Sequence, residues 1–248
     1  MEHASLTVLI TRPKEEAESL AHTLAEIGVT PIMCPMLDII YTPNPPIIQK
    51  LLETKHVQAI IFTSKHGVHS VAEIDNLHAI PALCVGEATA LAAKEQGFLH
   101  VTDTGGDVPH LQTFVQQHYA ANLGSLLYFS GEHIAQDLSG ILMTQGYDIQ
   151  QCITYEANAC TLLPDAALQS LQRHDVDIVL FYSARTAKTF ETLLTSTGHS
   201  QLASFMSVLC LSPAIAAGLQ LSWKEKLTAT APTNASMLAS IEKFRVYK

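Results

Sequence analysis

The chain has 248 residues, 48% of them hydrophobic and 15% charged, with a formal net charge of −9. This composition describes an ordered globular protein of one large or two smaller domains and excludes a disordered one. With only 14 Lys and Arg, it also argues against nucleic acid, whose binding is dominated by basic neutralisation of phosphates.

No apolar run reaches 18 residues, so neither a membrane-spanning helix nor a membrane partner is predicted. The N-terminal MEHASLTVLITRP lacks a basic n-region and its apolar run is only LTVLI, so no signal peptide is read and a cytoplasmic location is expected. TVLITRP reads as a strand that turns into the helix KEEAESLAHTLAEIG. Ala17, Leu20, Ala21, Leu24 and Ile27 share one face of it, with Pro13 near its start and Gly28 past its end. Glu15, Glu16 and Glu18 lie in the first turns, where the helix dipole favours them. VTPIMCPM returns as a strand, and MCPMLDIIYTPNPP (33–46) continues extended into prolines.

The central block opens on AIIFTSKHGV (59–68), a strand running through a hydroxyl corner into a helix. ALCVGEATALAAKEQGFLHVTD follows as strand, corner, Ala-rich helix and strand. A helix is predicted at 109–121 on Pro109, Leu111, Phe114 and Val115. SLLYFSGEHIAQDLSGILMTQGYDIQQCITY then repeats the plan of the first unit, its helical face being Ile134, Leu138, Ile141 and Leu142 and its end Gly146. CITYEANACTLLP (152–164) is again extended and ends in Pro. DIVLFYSARTA (177–187) repeats the corner of AIIFTSKHGV. SVLCLSPAIAAGLQLSWKEKLTAT parallels the CVGEAT segment, and a last helix is predicted at 234–244 on Met237, Leu238, Ile241 and Phe244.

Alternating strands and helices imply βαβ units and parallel sheets. The fold class is therefore α/β, as two three-layer α/β/α lobes with parallel sheets joined by a two-stranded β connector. One lobe is 1–36 with 165–248, the other is 48–150, and the connector is 37–47 paired with 151–164, leaving a cleft between the lobes. A single larger doubly wound sheet is the alternative.

Ligands of doubly wound sheets bind beyond the carboxyl ends of the strands. Six corners are predicted there: ITRP (10–13), FTSKHG (62–67), CVGEAT (84–89), YFSGEH (128–133), FYSART (181–186) and LSPA (211–214). For any one Ser or Thr among them, capping a helix is a sufficient role; together they suit an anion held by helix ends and backbone amides. There is no GxGxxG, no GxxxxGK[ST] and no GxSxG. His66 and His69 form an HxxH without further ligands, so no metal is assigned. The five Cys (34, 84, 152, 160, 210) show no CxxC spacing and read as buried reduced thiols. Tyr155 lies in the connector motif ITYEA, where a hydroxyl reaching water is its plain reading.

Taken in order, LITRP, PMLDI, IIFTSKHGV, CVGEATA, FSGE, ITYEA, LFYSARTA, LSPAIAAGL and APTNASMLASI resemble the uroporphyrinogen-III synthase family over nearly the whole chain. The resemblance implies two flavodoxin-like lobes and closure of the linear tetrapyrrole hydroxymethylbilane to uroporphyrinogen III, with loss of water and inversion of ring D. It implies no metal or organic cofactor and hydroxymethylbilane synthase as the upstream partner enzyme; separately from the resemblance, a monomer is expected. By motif position Tyr155 is the catalytic residue, proposed to hydrogen-bond the departing hydroxyl. A phenol is a suitable donor for that at neutral pH, though a weak acid. Substrate-binding positions are Arg12, Thr63, Ser64, Lys65, His66, Gly86, Glu87, Ala88, Thr89, Ser130, Gly131, Ser183, Ala184, Ser212 and Pro213. Two departures stand out. Relatives often carry an Arg shortly after YFSG, where this chain has Ala135, and often a Thr after SP, where it has Ala214 and Ile215. Either basic contacts fall to Arg12, Lys65, His66 or Arg185, or those family contacts are dispensable. The competing classes are a non-catalytic two-lobed small-anion-binding protein and a flavodoxin-like flavin or nucleotide protein. Formation of the type III isomer separates the enzyme from both.

Overall fold

The computed structural model describes residues 5–74, 76–134 and 136–246. In chain order the elements are β1 (Thr7–Ile10), α1 (Lys14–Glu26), β2 (Thr30–Met33), β3 (Leu37–Tyr41), α2 (Pro45–Thr54), β4 (Val57–Phe62), α3 (Lys65–Val71) and β5 (Ala82–Cys84). Next come α4 (Glu87–Glu95), β6 (Val101–Asp103), α5 (Val108–His118), β7 (Ser125–Gly131), α6 (Leu138–Thr144) and β8 (Asp148–Ala159). The chain ends with α7 (Asp165–Gln172), β9 (Ile178–Phe181), α8 (Ala184–Ser196), a 3₁₀ turn (Ser200–Phe205), β10 (Ser207–Cys210), α9 (Pro213–Gly218), β11 (Glu225–Thr228) and α10 (Asn234–Val246). Among the described residues, no helix is long and apolar enough to cross a membrane.

These elements gather into two compact units, Met1–Asp38 with Asn158–Lys248, and Ile39–Ala157. The first holds a five-stranded sheet in the order β11-β10-β9-β1-β2, every pairing parallel. Counted within the unit this is 2-1-3-4-5, the flavodoxin order. The second sheet has the order β3-β8-β7-β4-β5-β6, with β8-β7-β4-β5-β6 parallel throughout. Chain direction along each sheet reverses once, between β1 and β9 in the first and between β4 and β7 in the second.

Side-chain alternation makes each unit three layers deep. In β1, Leu9 joins one core with Phe181 and Phe190, whereas Val8 and Ile10 join the opposite core with Leu20, Leu24, Met237 and Ile241. In β4, Ile60 and Phe62 pack with Val68, Val71 and Phe129, while Ala59 and Ile61 face Leu111, Val115, Leu138 and Leu142. Strands buried on both faces cannot alternate with polar residues, which is why IIF and IVLF read as continuous apolar runs.

Several sequence boundaries need correction. Residues 45–47, assigned to the connector, form the first turn of α2. Pro is tolerated there because the N–H it lacks would have no intrahelical partner, and the Asn44 side chain accepts the Ile47 N–H at 3.3 Å. The helix predicted from 109 to 121 runs from Val108 to His118. The last helix extends to Val246. The helix expected directly after YFSGEH begins only at Leu138, where Asp137 Oδ1 accepts the Gly140 N–H at 2.9 Å. Ile134 precedes that helix but still packs on the same core as Leu138. Ala135 lies outside the described residues.

Candidate active site

The reversal in each sheet is where neighbouring crossovers leave in opposite directions and open a crevice at the strand ends. In the second unit it lies between β4, which Thr63 and Ser64 follow, and β7, which ends in Ser130 and Gly131. Ser64 caps α3 by accepting the His66 N–H at 3.2 Å. α3 sits hard against β7, for a Cβ on Gly67 would come within 2.7 Å of the Phe129 carbonyl oxygen. Backbone contact thereby fixes where Lys65 and His66 start.

Tyr155 reaches this corner through an irregularity in β8. Ser130 pairs with Ile153 but Gly131 pairs with Tyr155, so Thr154 is an extra residue on the β8 side. Such a bulge re-aims the side chain that follows it. Thr154 is 1% exposed, its hydroxyl accepts from Ser70 Oγ at 2.7 Å, and its carbonyl accepts the Thr42 N–H at 2.8 Å. Tyr155 is turned onto Gly131, where a Cβ would stand 2.7 Å from Cε2 and Cζ and 3.1 Å from the hydroxyl oxygen. Only glycine leaves room for the ring. The His66 imidazole is 5.7 Å from the Tyr155 ring between centroids, tilted by 52°. Tyr41, from β3, approaches the same imidazole, its hydroxyl 3.2 Å from Nδ1.

Other predicted positions in this unit divide into buried and accessible. Thr63 Oγ1 shares a 2.9 Å hydrogen bond with the hydroxyl of Tyr128, a phenol pushed up chiefly by burial and further by the nearby Tyr155. Ser130 is 2% exposed and its hydroxyl accepts from Gln151 Nε2 at 2.8 Å, so it serves the sheet. Thr89 is 6% exposed on the inner face of α4, whereas Glu87 and Ala88 in the first turn of that helix are exposed. Gly86 precedes α4 and packs under the following loop, with its Cβ position 3.3 Å from Gly106 Cα.

In the first unit the reversal lies between the Arg12 corner of β1 and the Ser183 corner of β9. Ser183 caps α8, accepting the Thr186 N–H at 3.1 Å, with Ala184 exposed at the first helical position. Arg12 is engaged on two sides. Its Nε donates to Glu16 Oε2 at 2.6 Å, its Nη2 pairs with the same oxygen, and its guanidinium lies 4.3 Å over the Tyr182 ring. Burial pushes the Tyr182 phenol up to about 12 although Arg12 pulls it down, and its hydroxyl donates to Asn234 Oδ1 at 2.7 Å. Ser212 stands at the N-cap of α9 without a side-chain cap bond, with Pro213 at the first position. Burial also pushes the thiols of Cys34 and Cys84 up to about 12 and Cys210 up to about 11, which makes them poor nucleophiles.

The sequence reading missed Tyr41 and the Thr154 bulge. LDIIY carries only a two-residue alternation, and a bulge leaves no compositional trace.

A family model described as uroporphyrinogen-III synthase HemD matches residues 18–239. A curated relative, porphyrin biosynthesis protein HemD of Ruminiclostridium josui, is 23% identical over 193 residues, covering 74% of this chain and 38% of the relative. This chain thus spans well under half the length of that protein. Among solved structures, uroporphyrinogen-III synthetase of Helicobacter pylori aligns with TM-score 0.64 and 19% identity over 96% of this chain and 99% of its own. A mutant uroporphyrinogen III synthase of the extremely thermophilic bacterium Thermus thermophilus aligns with TM-score 0.55 and 17% identity over 98% and 100%. Both are alike in fold.

Proposed function

Since the chain belongs to the uroporphyrinogen-III synthase family, we propose that it converts hydroxymethylbilane to uroporphyrinogen III, as a cyclising carbon–oxygen lyase. Hydroxide leaves the ring A hydroxymethyl group to give an azafulvenium stabilised by the pyrrole nitrogen. Ring D attacks it through its substituted carbon, and the spiro intermediate fragments and recloses with ring D inverted. Pyrrole electrons drive the departure, so no strong acid is needed. The protein's work is to hold the rings in the one geometry that outruns spontaneous closure without inversion.

The observation that carries this reading is Tyr155, turned by the Thr154 bulge onto Gly131 beside His66. In this role its hydroxyl hydrogen-bonds the departing hydroxyl. The substrate is a polycarboxylate and the protein is acidic, so much of its binding falls to backbone amides at helix starts, with Lys65 and Arg185 supplying positive charge. Arg12 contributes less than its motif suggests, because Glu16 already neutralises it. The chain acts as a cytoplasmic monomer on the product of hydroxymethylbilane synthase.

Freshly made hydroxymethylbilane tests the reading. Type III isomer above the spontaneous type I background supports it, and type I alone refutes it. Tyr155→Phe is expected to lower turnover about tenfold or more, the scale of a lost positioned donor, with the circular dichroism spectrum unchanged. Near-wild-type turnover removes Tyr155 from the step.

A further inference from the structure

Tyr41 belongs to no motif that carries the reaction, yet it completes a row of three rings drawn from three elements. Its centroid lies 6.3 Å from the His66 imidazole, which lies 5.7 Å from Tyr155. Both outer members are held by backbone. The Thr42 N–H bonds the Thr154 carbonyl at 2.8 Å, so the strand carrying Tyr41 is registered on the very bulge that turns Tyr155. Tyr155 in turn rests on Gly131. The imidazole between them has its backbone N–H fixed by Ser64 Oγ, and Nδ1 lies 3.2 Å from the Tyr41 hydroxyl.

A neutral imidazole has one N–H and one lone pair, so its partner decides which nitrogen carries the proton. A tyrosine that donates to Nδ1 leaves Nε2–H as the ring's donor. We propose that Tyr41 is a positioning residue for the reaction: its O–H donates to His66 Nδ1, holding the ring as the Nε2–H tautomer at a set tilt against Tyr155, and so fixes the Tyr155 hydroxyl for the departing group. This rests on the function proposed above. It makes His66 a shaped, uncharged wall of the site instead of a carrier of positive charge. It also gives β3 a role in the chemistry, beyond its place at the sheet edge.

The test pairs kinetics with a spectrum. In protein labelled with ¹⁵N-histidine, His66 of the wild type is expected to show an unprotonated Nδ1 and a protonated Nε2. Tyr41→Phe keeps the ring and loses the hydroxyl. It is expected to give mixed tautomers at His66 and to lower kcat about three- to tenfold, the worth of one neutral hydrogen bond, with KM and melting temperature unchanged. His66→Asn lowers kcat by itself, and adding Tyr41→Phe to it has no further effect, because coupled residues are not additive. An unchanged His66 tautomer in Tyr41→Phe overturns the proposal. So does an equal loss of kcat with and without His66, or an effect confined to KM or melting temperature. If the wild type forms only type I product, the proposed function falls, whereas the tautomer spectrum still decides whether Tyr41 sets His66.

Discussion

Gly131 decides more at the site than any residue with a functional group of its own, because Tyr155 occupies the space a Cβ would need. The obstacle is the far end of a side chain, which can swing aside, and not backbone. Gly131→Ala is therefore expected to displace the Tyr155 ring at little cost to the fold. Turnover should fall about tenfold, comparable to removing the hydroxyl itself, while the melting temperature shifts by only a few degrees. Steady-state assay alongside thermal melts checks both, and wild-type turnover in the alanine variant would show that the ring's seat is irrelevant. Such detail was only partly legible. Tyr155 stood out through its place in ITYEA and the family resemblance, and Gly131 through the FSG corner. Their contact depends on the register shift at Thr154, which no local pattern encodes. Ser130 and Thr89 have the residue types of binding positions, but their hydroxyls lie on the buried side of β7 and α4, because the phase of a strand or helix decides which neighbour faces out.

At the scale of elements, the second sheet is tied at the ends opposite the corners that carry Thr63 and Gly131. Asp148 opens β8, accepts from Lys55 Nζ at 2.6 Å just beyond α2, and from Ser125 Oγ at 2.5 Å at the start of β7. Those partners, Lys55 first, hold its carboxyl at about 2, down from 3.8. The folded pKa lies below the unfolded one, so the ionised carboxylate stabilises the fold fully above about pH 5, and this is lost as pH falls through about 4 towards 2. The side chain is 46% exposed, and solvent screening keeps the gain to roughly 1 kcal/mol or less. Asp148→Asn is expected to melt slightly below wild type at pH 7 and together with it near pH 2. A difference that grows on acidification contradicts the assignment. Apart from α2 and α7, which the sequence reading left out, the helices and strands were legible from period, caps and glycines. The start of α6 was not, because Asp137 caps a helix four residues after Ile134, where the apolar face alone suggested continuity.

Across the whole molecule, the two sheets draw on separate cores. Every buried residue behind β4, β5 and β7 comes from within 48–149, and every one behind β1, β9 and β10 from residues 6–36 or 163–241. A fragment of residues 37–159 therefore keeps all six strands of its sheet and is expected to fold alone, with a cooperative thermal transition and the intact protein's helical spectrum for that region. A non-cooperative melt would show that its core needs the rest of the chain. The sequence by itself determined the α/β class, most of the alternating strands and helices and the hydroxyl-rich corners, because these rest on hydrophobic period and capping chemistry within a few residues. Tertiary structure alone decided which corners stand at the sheet reversals and that Glu16 occupies Arg12. It also decided that Tyr41, His66 and Tyr155 meet, because strand order, register and one bulge bring together residues more than a hundred positions apart.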